Sequence, residues 1–195
     1  RLAVLDRFTP DLAEALGADG TAGALAGLVR RGLIVDTPGP GQSWLNLNAL
    51  VREVLAPVSA EARRDTLAAA ARWFEDHGQA ADALRCLLAT GSGEATARLV
   101  TTWGPDLLQA GETGAVLDAI ALVEGERPPP VHRLEGDARQ LAGDWDGALV
   151  CYDRAAAGPG PLDPGLAWRM GLIHHLRGDL ATALDHNVLF TLSVP

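Results

Sequence analysis

The groups in this chain that could do chemistry are few. His174 and His175 are adjacent and His186 follows on the same stretch, and imidazole is a common metal ligand. Adjacent helical side chains, however, point about 100° apart. No Cys-x-x-Cys or His-x-x-x-His spacing occurs anywhere, so the histidines read as surface or groove residues and no metal site is expected. Asp144 and Asp146 form the kind of carboxylate pair that serves acid–base catalysis. They flank a turn, where helix capping accounts for them, and no catalytic residue is expected. Cys86 and Cys151 are far apart in sequence and read as reduced, buried thiols. All 16 basic residues are Arg. Without Lys there can be no phosphate loop of the G-x-x-x-x-G-K-[ST] type, and no nucleotide hydrolysis is expected. A net charge of −9 opposes general nucleic-acid binding, which rests on neutralising phosphates.

The elements around these residues repeat. A glycine, four variable residues and an apolar pair occur four times. The copies run from Gly78 to Ala83-Leu84, Gly111 to Val116-Leu117, Gly143 to Ala148-Leu149, and Gly178 to Ala183-Leu184. The glycines are 33, 32 and 35 residues apart. The spacing predicts helical hairpins. Glycine ends the first helix in a left-handed conformation, the small residue lets the second helix approach closely, and the leucine feeds an apolar stripe. A single hairpin cannot bury that stripe, so neighbours must stack. Pro128-Pro129-Pro130 breaks the chain between the second and third copies, and Gly158-Pro159-Gly160-Pro161 with Pro164 between the third and fourth. Trp73, Trp103 and Trp145 lie close to repeat glycines and read as packing residues.

The third and fourth copies resemble the tetratricopeptide repeat. Gly136 and Gly171 each lie seven residues before the turn glycine, and Trp145, Ala148, Tyr152 and Ala155 fall on that family's second-helix positions. The fourth copy has Asn187 where an aromatic is usual. In tetratricopeptide arrays certain first-helix positions line a concave face. The resemblance places Arg133, Asp137 and Gln140, and Trp168, Leu172 and His175, on such a face. It implies a groove for an extended peptide or a small polar effector. The competing reading makes Trp168 part of an interface with a further hairpin, since the array is expected to continue.

Residues 1–58 read differently. Thr9-Pro10-Asp11 opens a helix through Leu16, and Thr21 starts another that Gly32 ends. Leu33-Ile34-Val35, a turn at Pro38-Gly39-Pro40-Gly41 and a return strand at Trp44–Leu47 make a hairpin, and Leu50–Leu55 starts a third helix. Helix, helix, β-hairpin, helix is the order of a winged helix. The helix in the recognition position, Thr21 to Arg31, offers only Arg30 and Arg31 and no Asn, Gln or Lys, so it is expected to be structural rather than to read DNA bases. The expected fold is mainly α. It comprises a winged-helix-like domain (1–58), degenerate helical hairpins (59–127) and an α-solenoid of tetratricopeptide-like hairpins (128–195).

The run Leu28-Val29-Arg30-Arg31-Gly32-Leu33-Ile34, a hairpin, then Leu50-Val51-Arg52-Glu53-Val54-Leu55 resembles the MalT-like regulators, as does Ala70-Ala71-Arg72-Trp73-Phe74 ahead of Gly78. These are signal-transduction ATPases of the STAND class, often carrying a LuxR-type DNA-binding domain. The resemblance implies a cytoplasmic sensor and protein-interaction segment, not an enzyme. Its partners would be other domains of the same chain and a protein or small-molecule effector. DNA would be bound only through a domain outside this fragment, and no membrane is involved. It implies no cofactor here, and ATP or ADP for the full-length protein. Family members usually carry a histidine at the position of Asn48, which can face the nucleotide's phosphates. Asn48 and nearby Arg52 are therefore the nucleotide-facing candidates, although Asn donates a hydrogen bond without carrying charge. The alternative is a tetratricopeptide-type scaffold with no transcriptional role.

Overall fold

The computed structural model describes residues 2–17, 21–39, 42–55, 59–157 and 162–193, with the backbone alone at 22, 42 and 187–193. The chain divides into two compact units, Arg1–Ser92 and Gly93–Pro195. It is mainly helical, a winged helix followed by helical hairpins.

In the first unit a 3-10 turn (Leu2–Val4) leads to α1 (Pro10–Leu16), α2 (Thr21–Arg30), β1 (Ile34–Gly39), β2 (Gln42–Leu47) and α3 (Ala49–Leu55). The hairpin α4 (Ala60–Asp76) and α5 (Ala80–Thr90) belongs to the same unit, so the unit boundary falls inside the stretch 59–127. Thr9 caps α1 as its pattern predicts: its hydroxyl accepts from the Leu12 N–H, with Pro10 following at the first helical position. The β-hairpin runs further than the sequence pattern suggests. Pro38 and Gly39, expected in the turn, are the last residues of β1 and pair with Ser43 and Gln42. β1 is an edge strand, where Pro, which lacks an N–H, is tolerated. Pro40 and Gly41 lie outside the described residues. Phe8 adds a short third rung that the sequence pattern does not show. Its N–H donates to the Leu45 carbonyl at 3.0 Å and its carbonyl accepts from the Leu45 N–H at 2.8 Å. Phe8, Leu12, Leu25, Ile34 and Leu45 form the buried centre of this domain.

The second unit holds three hairpins: α6 (Gly93–Gln109) with α7 (Thr113–Ala121), α8 (Pro129–Leu141) with α9 (Trp145–Ala156), and α10 (Pro164–Leu176) with α11 (Leu180–Ser193). Pro128 precedes α8 and Pro164 opens α10, as expected of these breaks, while Gly158–Pro161 lies outside the described residues. Asp163 caps α10 by accepting from the Leu166 N–H at 3.0 Å.

All four repeat glycines adopt the left-handed conformation, with φ of 70° at Gly78, 83° at Gly111, and 82° at Gly143 and Gly178. At each turn the glycine N–H donates three residues back, and the next N–H reaches five back, as from Asp144 to the Arg139 carbonyl at 2.9 Å. This is the Schellman arrangement, which satisfies the carbonyls left over at a helix end. The small or β-branched residue after each glycine is buried: Ala83, Val116, Ala148 and Ala183. Its leucine neighbour is buried in the first copy (Leu84), half-buried in the second and third (Leu117 and Leu149), and exposed in the fourth (Leu184).

These conformations give a paired prediction. Gly143→Ala forces a Cβ into the left-handed region and should destabilise by about 1–2 kcal/mol. Gly27→Ala, inside α2 with only the end of the Arg30 side chain nearby, should stabilise by about 0.5–1 kcal/mol. Urea midpoints of the two variants moving in the same direction would contradict the assigned roles.

Candidate functional site

The first helices of the three hairpins in the second unit line one cavity of about 360 Å³. From α8 come Asp137, Gln140 and Leu141, from α10 come Trp168, Arg169 and Leu172, and from α6 come Pro105, Leu108 and Gln109. Four of the six groove residues implied by the tetratricopeptide resemblance thus converge: Asp137, Gln140, Trp168 and Leu172. The other two do not line it. Arg133 pairs with Asp163 at 3.2 Å, tying α8 to the start of α10. His175 is exposed one turn beyond.

The wall is held by a polar chain. Tyr152 is fully buried, and its hydroxyl lies 2.8 Å from both the Asp137 carboxylate and the Gln140 side-chain oxygen. A phenol has one proton, so it donates to Asp137, and the Gln140 amide completes the chain by turning to donate to the phenol oxygen. Asp137 also pairs with Arg169 at 2.6 Å. Burial, and then the Asp137 charge, push the Tyr152 hydroxyl well above its ordinary value, so it remains a donor at any working pH. Trp168 stays 45% exposed beside this chain. The arrangement offers an aromatic face, a guanidinium and an amide to a ligand, and no nucleophile set against a base.

Arg169, Pro105 and Leu108 were missed by the sequence reading. The repeat register itself could have found two of them: stepping back 32 residues from Asp137 and Gln140 lands on Pro105 and Leu108. Arg169 is visible only once α10 is seen against Asp137.

Asn48 immediately precedes α3, and Arg52 lies within it. The Asn48 side-chain oxygen accepts from the Leu50 N–H at 3.0 Å, acting as a cap. Arg52 donates to the Asp6 carboxylate at 3.1 Å and to the Asp6 carbonyl at 2.9 Å, and its Nε is buried without a partner. A phosphate meeting Arg52 would have to displace Asp6. These two residues therefore do not form a phosphate cradle on their own, and no nucleotide step is assigned to them.

The remaining candidates are accounted for by packing. Asp144 accepts from the Gly147 N–H at 3.0 Å as the cap of α9, and Asp146 pairs with Arg177 at 2.8 Å. His174 meets His186 in a stacked pair 5.6 Å apart and contacts Asp179 at 3.3 Å, while adjacent His175 takes no part. Burial, then the His174 charge, lower the His186 pKa. Among the described residues no group of three or more His, Cys, Asp or Glu is placed to share a metal ion. Both cysteines are buried and free, and burial above all pushes the Cys86 thiol up to about 12. Among the described residues, no helix is long and apolar enough to cross a membrane.

Residues 1–68 match the family model of the MalT winged helix domain. The match supports a MalT-like regulator at family level and ends within α4. No curated protein and no solved structure matches the chain.

Proposed function

We propose that this chain is the sensor and protein-interaction segment of a cytoplasmic, MalT-like transcriptional regulator of the LuxR-family, STAND type, and that it catalyses no reaction itself. In this reading residues 1–68 are a structural winged helix, and the hairpins that follow are a tetratricopeptide-like array that receives an effector. ATP or ADP and DNA are engaged by other domains of the full-length protein. The observation that carries the effector site is the convergence of Asp137, Gln140, Arg169 and the half-exposed Trp168 on one cavity. Trp168 supplies contact area, and Arg169 a fork for a carboxylate or amide oxygen. Arg30 and Arg31 alone at the end of α2 argue against base reading by this winged helix.

The test is made in the source organism. Trp168→Ala at the chromosomal locus should change the same transcripts as deletion of the gene, with the protein present at its normal level. Because the side chain is exposed, the variant's stability should change by no more than about 0.5–1 kcal/mol. A deletion that leaves the transcript profile unchanged sinks the regulator reading. A Trp168→Ala strain indistinguishable from wild type sinks the groove.

A further inference from the structure

The first unit contains a cavity of about 380 Å³ bordered by residues 4–7, α4 and α5. Its floor is apolar, formed by Leu5, Leu67 and Phe74 with Cys86 beside them, all buried. Its rim carries three guanidiniums, Arg7, Arg63 and Arg85, and two carboxylates, Asp6 and Asp82.

Both carboxylates are already matched. Asp82 accepts from Arg7 through two bonds of 2.9 Å and from Arg85 at 3.0 Å. Asp6 is held by Arg52 at 3.1 Å. The Arg7 guanidinium is further fixed 4.0 Å above the Trp44 ring. Arg63 is left over: among the described residues its guanidinium has no ion pair and no hydrogen bond. The adjoining cavity, which Arg63 also lines, holds a single carboxylate, Glu53, together with Arg52. An acidic chain has thus gathered four arginines around three carboxylates at this place, with one fork uncommitted over an apolar floor.

We propose that this cavity binds a small organic anion, with an apolar body on the Leu5–Leu67–Phe74 floor and a carboxylate or phosphate head on Arg63. The fork geometry suits either head group, and a planar guanidinium holds both bidentately. This site is separate from the groove on α8 and α10, and either can fail without the other.

The experiment titrates the full chain with phenyl phosphate and with benzoate, using phenol and inorganic phosphate as controls. Calorimetry gives the affinity, and peptide-resolved hydrogen exchange gives the location. Both aromatic anions should bind saturably, more tightly than either control, and should slow exchange in α4 and α5 while leaving α8 to α11 unchanged. Arg63→Ala should weaken both by about tenfold, and Arg63→Lys should recover part of the loss. Arg154→Ala, an exposed arginine elsewhere, should leave affinity unchanged. Arg63 is exposed, so its variants should melt with wild type. The proposal is overturned if neither aromatic anion saturates, if phenol or phosphate binds as tightly, if exchange in α4 and α5 is not slowed, or if Arg63→Ala binds as wild type or Arg154→Ala loses as much.

Discussion

Tyr152→Ala is expected to destabilise the second unit by about 3–5 kcal/mol, the range for deleting a fully buried aromatic ring. The ring has no exposed surface and packs with Ala148, Leu166, Met170 and Ile173. It also lies directly on Gly136, where an added Cβ would run into the ring itself. Three helices therefore lose contacts at once, and the backbone of α8 cannot collapse into the space without dragging Gly136 along. Tyr152→Phe separates packing from the hydroxyl. It keeps the ring and removes the hydroxyl's bonds to Gln140 and to Asp137, which still has Arg169 at 2.6 Å, so its cost should be about 1–2 kcal/mol. The measurement is urea unfolding combined with hydrogen exchange resolved to α8, α9 and α10. If Tyr152→Ala leaves the α8 and α9 amides as protected as in wild type, the ring does not hold these helices together.

That ring is legible in the sequence itself, since the tetratricopeptide spacing places Gly136 and Tyr152 on facing helices. The turn glycines are legible for a stronger reason. A left-handed residue after a helix is a local requirement that one amino acid meets cheaply, so it leaves the same mark in each copy. Thr9-Pro10 is local in the same way. What stays hidden is long-range. Arg7 reaches Asp82 and Trp44 across the first unit, and nothing about an arginine early in the chain says which carboxylate it will find. The short rung at Phe8 depends on Leu45 arriving beside it. The sequence pattern groups the hairpin α4–α5 with the later repeats, because it shares their spacing. Contacts group it with the winged helix, and Asp82, buried in α5 and paired with Arg7, is one physical reason. Four of six groove positions converge because repeat register survives translation along the chain. Arg133 departs because Asp163, a cap residue, lies within its reach.

Removing Glu135 should cost nearly as much as removing the ring, and its cost should depend on pH. Its side chain is only 8% exposed. It accepts from Arg127 at 2.9 Å and from two nitrogens of Arg139 at 3.1 and 2.9 Å. Arg139 in turn donates to Asp144 at 2.7 Å, and Asp144 caps α9. One carboxylate thus joins the segment before α8, α8 itself and the start of α9. Breaking a fully buried ion pair from one side costs about 3–5 kcal/mol; because both arginines keep some contact with water, Glu135→Ala should cost about 2–4 kcal/mol. Burial pushes the Glu135 carboxyl up, but the Arg139 hydrogen bonds and the Arg127 and Arg139 charges outweigh it and hold the carboxyl below its usual range. Asp144 is also lowered, first by the Gly147 N–H and then by Arg139. A carboxyl depressed in the folded state contributes stability above its unfolded pKa and loses it as pH falls through the folded value. The gap in urea midpoint between wild type and Glu135→Gln should therefore be full at neutral pH. It should begin to shrink near pH ~4, the ordinary carboxylate range, and continue closing below it. Glu135→Gln keeps the shape and one acceptor, so it reports charge rather than packing. A gap that stays constant from neutral to acid pH would mean that the arginines do not hold Glu135 ionised, and that the junction between α8 and α9 rests on packing alone.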